Sequence, residues 1–190
     1  MLPEEGKTTI AANVAITLVQ VGQKVLLIDS DMRKPRIHIL FGLDNHKGLS
    51  HYLAGAAGDN IFQDTALENL TIITAGSIPP NPSELLSSEK LQELLEIATK
   101  KYDVVIFDSA PITPVTDTRI LSKIVDGVII VARAEKTTYE IIRKGVKSLH
   151  DIDANILGMV INGFDLRKNR YYYGKEYSRS YGAYGNTSKT

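Results

Sequence analysis

The chain has 190 residues, 43% of them hydrophobic, which suffices for one domain with a full core and falls short of two. Lysine plus arginine balances aspartate plus glutamate at 22 each, so no global field draws the chain to nucleic acid or to an anionic membrane. Cysteine is absent, which excludes disulfides, thiol nucleophiles and thiolate metal sites and fits a reducing, cytosolic setting; no apolar run approaches the roughly 20 residues of a spanning helix.

Pro3-Glu4-Glu5-Gly6-Lys7-Thr8-Thr9 reads as the second half of a phosphate-binding loop. A glycine turn that opens a helix aims backbone N–H groups and the helix N-terminus at phosphate oxygens. On that reading Glu5, Gly6 and Thr9 belong to the cradle, Lys7 reaches the β- and γ-phosphates, and Thr8 offers its hydroxyl to Mg²⁺. The full pattern also wants a glycine where Met1 stands. The chain is therefore expected to be a piece of a longer protein, or to carry a miscalled start, with the strand that normally feeds the loop missing.

From Thr8 to about Val21 the apolar residues recur at helical spacing and Gly22 stops them. The run from Lys24 to Ile28 predicts a strand buried on both faces, with Asp29 at its carboxyl end. The same construction returns from Val104 to Phe107, ending in Asp108, and without an acid from Val128 to Val131 and from Ile156 to Ile161. A fifth strand, from Leu70 to Thr74, precedes the turn Gly76-Ser77-Ile78-Pro79-Pro80-Asn81-Pro82, which leads to an N-cap at Ser83. Helices are predicted from Ser83 to Lys101, Thr116 to Ile124 and Thr137 to Leu149. Buried strands alternating with helices predict an α/β fold: a P-loop NTPase-like, doubly wound, mostly parallel sheet with helices on both faces.

In such sheets ligands bind at the carboxyl ends of the strands, where Asp29 and Asp108 project. Phosphoryl transfer needs phosphates cradled, Mg²⁺ held by one or two carboxylates, and a nucleophile in line. Asp108 is the candidate to hold the metal directly or through water. Asp29 and Asp31, two apart just past a strand, offer one carboxylate to the metal shell and one to the incoming nucleophile. Because a phenol has a pKa of about 10, a tyrosine acceptor gains from a base, and Asp29 is the first choice. Singly, either acid would read as a helix cap or turn residue after a strand. Arg33 and Lys34 suit phosphate charge or a solvated basic turn. His38, His46, His51 and His150 show no metal spacing.

Residues 1–164 form the predicted domain. From Asp165 apolar periodicity ends, and 165–190 reads as a flexible tail holding Tyr171, Tyr172, Tyr173, Tyr177, Tyr181 and Tyr184. Six phenols without Phe or Trp favour phosphate acceptors over a stacking surface, since each phosphate adds up to about two negative charges.

These residues resemble the bacterial tyrosine kinases of capsule and exopolysaccharide export. The family's Pro-Gly-Glu-Gly-Lys-Ser/Thr loop matches Pro3 through Thr8, with Glu4 in place of the family's glycine. Its Asp-x-Asp-x-Arg-x-Pro motif matches the stretch ending at Pro35, and its Asp-x-x-Pro motif matches Asp108 through Pro111. Gly76 to Leu85 and the tyrosine cluster are similar to further family signatures. The resemblance implies ATP and Mg²⁺, with Lys7, Thr8, Asp29, Asp31 and Asp108 serving nucleotide, metal and catalysis. It also implies autophosphorylation of the tail in trans within a ring of subunits, a membrane polysaccharide co-polymerase as activator, fused or separate, and a cognate tyrosine phosphatase. The place of action would be the inner face of the plasma membrane, reached through a partner or a missing N-terminal region. Two rivals are a partition or septum-positioning ATPase, whose signature lysine is replaced here by Leu2, and an ATP-binding regulator that transfers no phosphate.

Overall fold

The computed structural model describes residues 4–112 and 116–165. Its first helix, α1 (Lys7–Gln20), stops where Gly22 takes a left-handed conformation, φ 89°. There the N–H of Gly22 donates to the carbonyl of Val19 and the N–H of Gln23 to that of Leu18, which satisfies the last helical carbonyls. The helix buries only Ala12 and Ala15 completely. Small side chains at these positions let it lie close on the sheet.

That sheet is built around β1 (Val25–Asp29), every residue of which is buried. On one side β1 pairs in parallel with β3 (Leu70–Ile73), and on the other with β4 (Val104–Asp108). The alternation of strand side chains fills two cores. Leu26 and Ile28 pack with α3 (Leu49–Leu53) and α5 (Glu89–Lys101), and Val25 and Leu27 pack against α1 and α2 (Ile37–Phe41). The doubly wound expectation holds.

Several local expectations are corrected. A short strand β2 (Phe62–Asp64), unforeseen, pairs antiparallel with β3 and makes the edge of the sheet mixed. The single helix predicted from Ser83 to Lys101 is two, α4 (Pro82–Leu86) and α5. The hydroxyls of Ser87 and Ser88 donate back to the carbonyls of Ser83 and Leu85, competing with the helical ladder. The N-cap of α4 is Asn81, with Pro82 in the first helical position, where its missing N–H costs nothing. After α6 (Asp117–Leu121), strands β5 (Val128–Arg133) and β6 (Ile156–Asn162) form a separate parallel pair, connected by α7 (Tyr139–His150). Predicted as buried, β6 instead leaves Leu157 66% exposed, with Met159 and Ile161 also open.

The sheet order β2-β3-β1-β4 and the pair β5-β6 leave β4 and β5 unjoined. A cavity of about 600 Å³ lies between them, lined by Val105, Phe107, Ile129 and Leu157 as well as by Lys7 and Asp108. This explains why β4 is only half-buried up to Phe107. Among the described residues, no helix is long and apolar enough to cross a membrane. The predicted tail tyrosines, Tyr171 to Tyr184, lie outside the described residues.

Candidate nucleotide and phosphotransfer site

The turn into α1 is made by two left-handed residues, Glu4 at φ 63° and Gly6 at φ 91°. Gly6 is required twice over. Its φ disfavours any side chain, and an added Cβ would meet Asn162 Nδ2 at 2.1 Å. No side chain caps α1 and its first turn holds no acid, so its positive end stays open to an anion.

The loop is seated by residues far along the chain. Arg133 donates to the carbonyl of Glu4 at 3.0 Å, and Asn162 Nδ2 donates to the carbonyl of Glu5 at 3.0 Å. Glu5, almost fully buried, accepts from the Thr137 hydroxyl through Oε1 at 2.8 Å, while its Oε2 has no hydrogen-bond partner. Sequence reasoning missed Arg133, Thr137 and Asn162. Their spacing from the loop carries no local signal; only the placement of the ends of β5 and β6 against the loop reveals them.

The acids converge through strand register: Asp29 stands directly beside Asp108 at the ends of β1 and β4. The Ser30 N–H and hydroxyl both donate to the Asp108 carbonyl, at 2.9 and 2.6 Å, which ties the two strand ends together. Asp29 Oδ2 accepts from the N–H groups of Arg36 and Ile37, at 3.1 and 3.0 Å, and so anchors the start of α2. Its Oδ1 is buried without a partner. Burial pushes the Asp29 carboxyl up to about 7, against the Ile37 hydrogen bond and with the Asp108 charge adding to the rise. Burial likewise raises Asp108 to about 6, with a hydrogen bond from the Thr8 hydroxyl and the charge of Lys7 pulling the other way. Asp31 acts electrostatically on both acids, and its own Oδ1 accepts from the N–H groups of Arg33 and Lys34.

The structure thus brings Lys7, Thr8, Asp29, Asp31 and Asp108 together. Thr9 lies on the exposed side of the first turn of α1. Arg33, a phosphate-binding candidate, turns its Nε and Nη2 to Asp117, at 2.8 and 3.2 Å. Among the described residues no three His, Cys, Asp or Glu side chains form a metal cage. Two desolvated, mutually repelling carboxylates, one with an orphaned oxygen, beside a threonine hydroxyl are instead the kind of oxygen donors that suit Mg²⁺ sharing its shell with phosphate oxygens. ATP and Mg²⁺ fit these residues.

A glycine loop opening a helix at the carboxyl edge of a parallel sheet, above paired strand-end acids, defines a P-loop nucleotide-binding fold. Residues 5–158 match a family profile described as an AAA domain. Septum site-determining protein MinD from Pyrococcus horikoshii, complexed with Mg-ADP, superposes with a TM-score of 0.71 at 25% identity, over 87% of this chain and 69% of that one. The kinase domain of Escherichia coli tyrosine kinase ETK superposes with a TM-score of 0.82 at 38% identity, over 85% of this chain and 64% of that one. Tyrosine-protein kinase YwqD of Bacillus subtilis is 42% identical over 171 residues, 90% of this chain and 72% of YwqD. The chain belongs to the AAA-domain family, and within it to the bacterial tyrosine kinases associated with capsule and exopolysaccharide synthesis.

Proposed function

We propose that the chain is an ATP-dependent tyrosine autokinase that phosphorylates the tail of a second copy, among Tyr171, Tyr172, Tyr173, Tyr177, Tyr181 and Tyr184. The observation that carries this reading is the register pair Asp29 and Asp108 beside Thr8, below a left-handed Gly6 that opens α1. The open N-terminus of α1 and Lys7 hold the phosphates. Thr8 and Asp108 would hold Mg²⁺, with Asp31 completing the carboxylates around it, and the bound ion would neutralise charge on the phosphate oxygens. Asp29 Oδ1, uncommitted while Oδ2 holds α2, takes the phenolic proton as the tyrosine oxygen bonds to the γ-phosphorus. The bond from that phosphorus to the β–γ bridging oxygen breaks, and ADP leaves with the electron pair.

On this reading, successive phosphates turn a basic tail acidic and loosen a ring of subunits by repulsion. A membrane polysaccharide co-polymerase is the activating partner, a tyrosine phosphatase resets the tail, and the chain works at the inner membrane face through that partner. The test is incubation of the full polypeptide with Mg²⁺ and γ-labelled ATP, with and without the activator, followed by phosphopeptide mapping. Label between Tyr171 and Tyr184, lost in Lys7→Met with the fold intact, is expected. Label confined to serine or threonine would overturn the proposal.

A further inference from the structure

Asp117, the first residue of α6, is a carboxylate with 0% side-chain exposure outside the acids already described. It takes both Nε and Nη2 of Arg33, and the Ser83 hydroxyl donates to its Oδ1. The Thr116 hydroxyl donates in turn to Ser83 at 3.1 Å. Exposed ion pairs hold little, and Arg33 is 41% exposed. Here, however, one partner is wholly buried and the guanidinium meets it as a two-toothed fork, a geometry that fixes the plane of the arginine as well as its distance.

What this fork holds in place is the acidic loop. The Arg33 N–H, with that of Lys34, donates to Asp31 Oδ1 at 3.2 and 3.0 Å and so orients the Asp31 carboxylate. On the other side of Asp117 the Thr118 hydroxyl donates to the carbonyl of Ala110, in the segment that follows Asp108. One short stretch of α6 therefore grips the chain just beyond each of the two acid-bearing strands, β1 and β4.

We propose that Asp117 is a positioning residue for Mg²⁺ binding: through Arg33 it sets the direction of the Asp31 carboxylate relative to Asp108. The proposal rests on the reading of Asp31 as part of the metal shell. It also gives Arg33 a task other than phosphate binding, since its fork is occupied.

The test uses the full chain, amide-resolved hydrogen exchange, and titration of Mg²⁺ in the presence of ADP. In Asp117→Asn the amides of Arg33 and Lys34 should exchange about 10-fold faster, while those of α5 and β3 keep their protection. The half-saturating Mg²⁺ concentration should rise by about 10-fold, the lower end of the effect of losing an outer-shell partner, while ADP affinity measured in EDTA stays the same. Arg33→Met, made at the exposed end, should quicken the same two amides even if Asp117→Asn does not fold, and combining the two changes should add nothing further. Unchanged exchange at 33 and 34 in Arg33→Met, or acceleration spread evenly along the chain, would overturn the proposal. A wild-type chain that binds ADP without any help from Mg²⁺ would overturn the metal-site reading, while faster exchange confined to 33 and 34 in the variants would still uphold the link from Asp117 to Asp31.

Discussion

The side-chain amide of Asn162 donates to the carbonyl of Glu5 at 3.0 Å, joining the last strand to the phosphate loop across 157 residues of sequence. The same amide stands where a side chain on Gly6 would have to go. The end of β6 therefore forms one wall of the loop, and a side chain at position 6 could enter only by displacing the Asn162 amide from its hydrogen bond to Glu5.

Gly6→Ala should accordingly lose nucleotide affinity by about 10-fold or more, because it meets both a left-handed φ and the Asn162 amide. Adding Asn162→Ala should relieve the clash but not the backbone strain, and so recover part of the loss. ADP binding by calorimetry on the single and double variants checks this; full recovery would mean that φ is not limiting.

Glu4 pays the penalty that Gly6 avoids: it sits at φ 63° with a Cβ. Glu4→Gly should stabilise the chain by about 1 kcal/mol, the usual cost of a left-handed non-glycine residue, less what glycine gains in unfolded-state freedom. Urea unfolding measures it. A variant less stable than wild type would show that the Glu4 side chain contributes contacts worth more than the strain.

The Asp117 carboxyl is held below the usual carboxylate range: burial opposes its charge, but the hydrogen bonds from Arg33 and Ser83 outweigh burial. The unfolded chain therefore binds this proton more readily than the folded one. The stability that Asp117 contributes is fully present above its unfolded pKa of about 4 and is lost as pH falls through the lower folded value. Unfolding curves taken from pH 6 downwards should show the wild-type advantage over Asp117→Asn shrinking on acidification. An advantage that is constant with pH would contradict the charged pairing.

Ala15 is completely buried where α1 lies on the sheet. Ala15→Leu should cost about 1–3 kcal/mol by overpacking. Because α1 carries Lys7 and Thr8 in its first turn, the same change should weaken ADP binding; denaturant midpoints together with calorimetry test the pair of effects.

Most of the scaffold was legible because its signals are local. A glycine opening a periodic run marked α1, and continuous apolar runs closed by Asp29 and Asp108 marked β1 and β4; the run was read as burial on both faces, which holds for β1, whereas β4 is only half-buried up to Phe107. The break between α4 and α5 was hidden because Ser87 and Ser88 interrupt an otherwise helical pattern only through where their hydroxyls bond. β6 was read as buried because its composition matches a central strand, whereas its exposure depends on what covers it. For Asp29 the two readings open at the sequence level, strand-end catalyst and helix anchor, turned out to divide between its two oxygens: Oδ2 holds α2 and Oδ1 is left over.

By itself the sequence determined the order of β1, β3, β4, β5 and β6 and of α1, α6 and α7, the glycine turn, and the presence of acids at strand ends, all of which follow from spacing and residue type within a few turns of chain; β2, α2 and α3 it left unread. Only the tertiary structure decided that Asp29 and Asp108 stand in register, that Arg33 faces Asp117, that Asn162 and Thr137 seat the loop, and that β4 and β5 face a cavity. All but the last join residues scores of positions apart. A hydrogen bond between such residues is set by how whole elements pack, and packing leaves no period in the chain to be read.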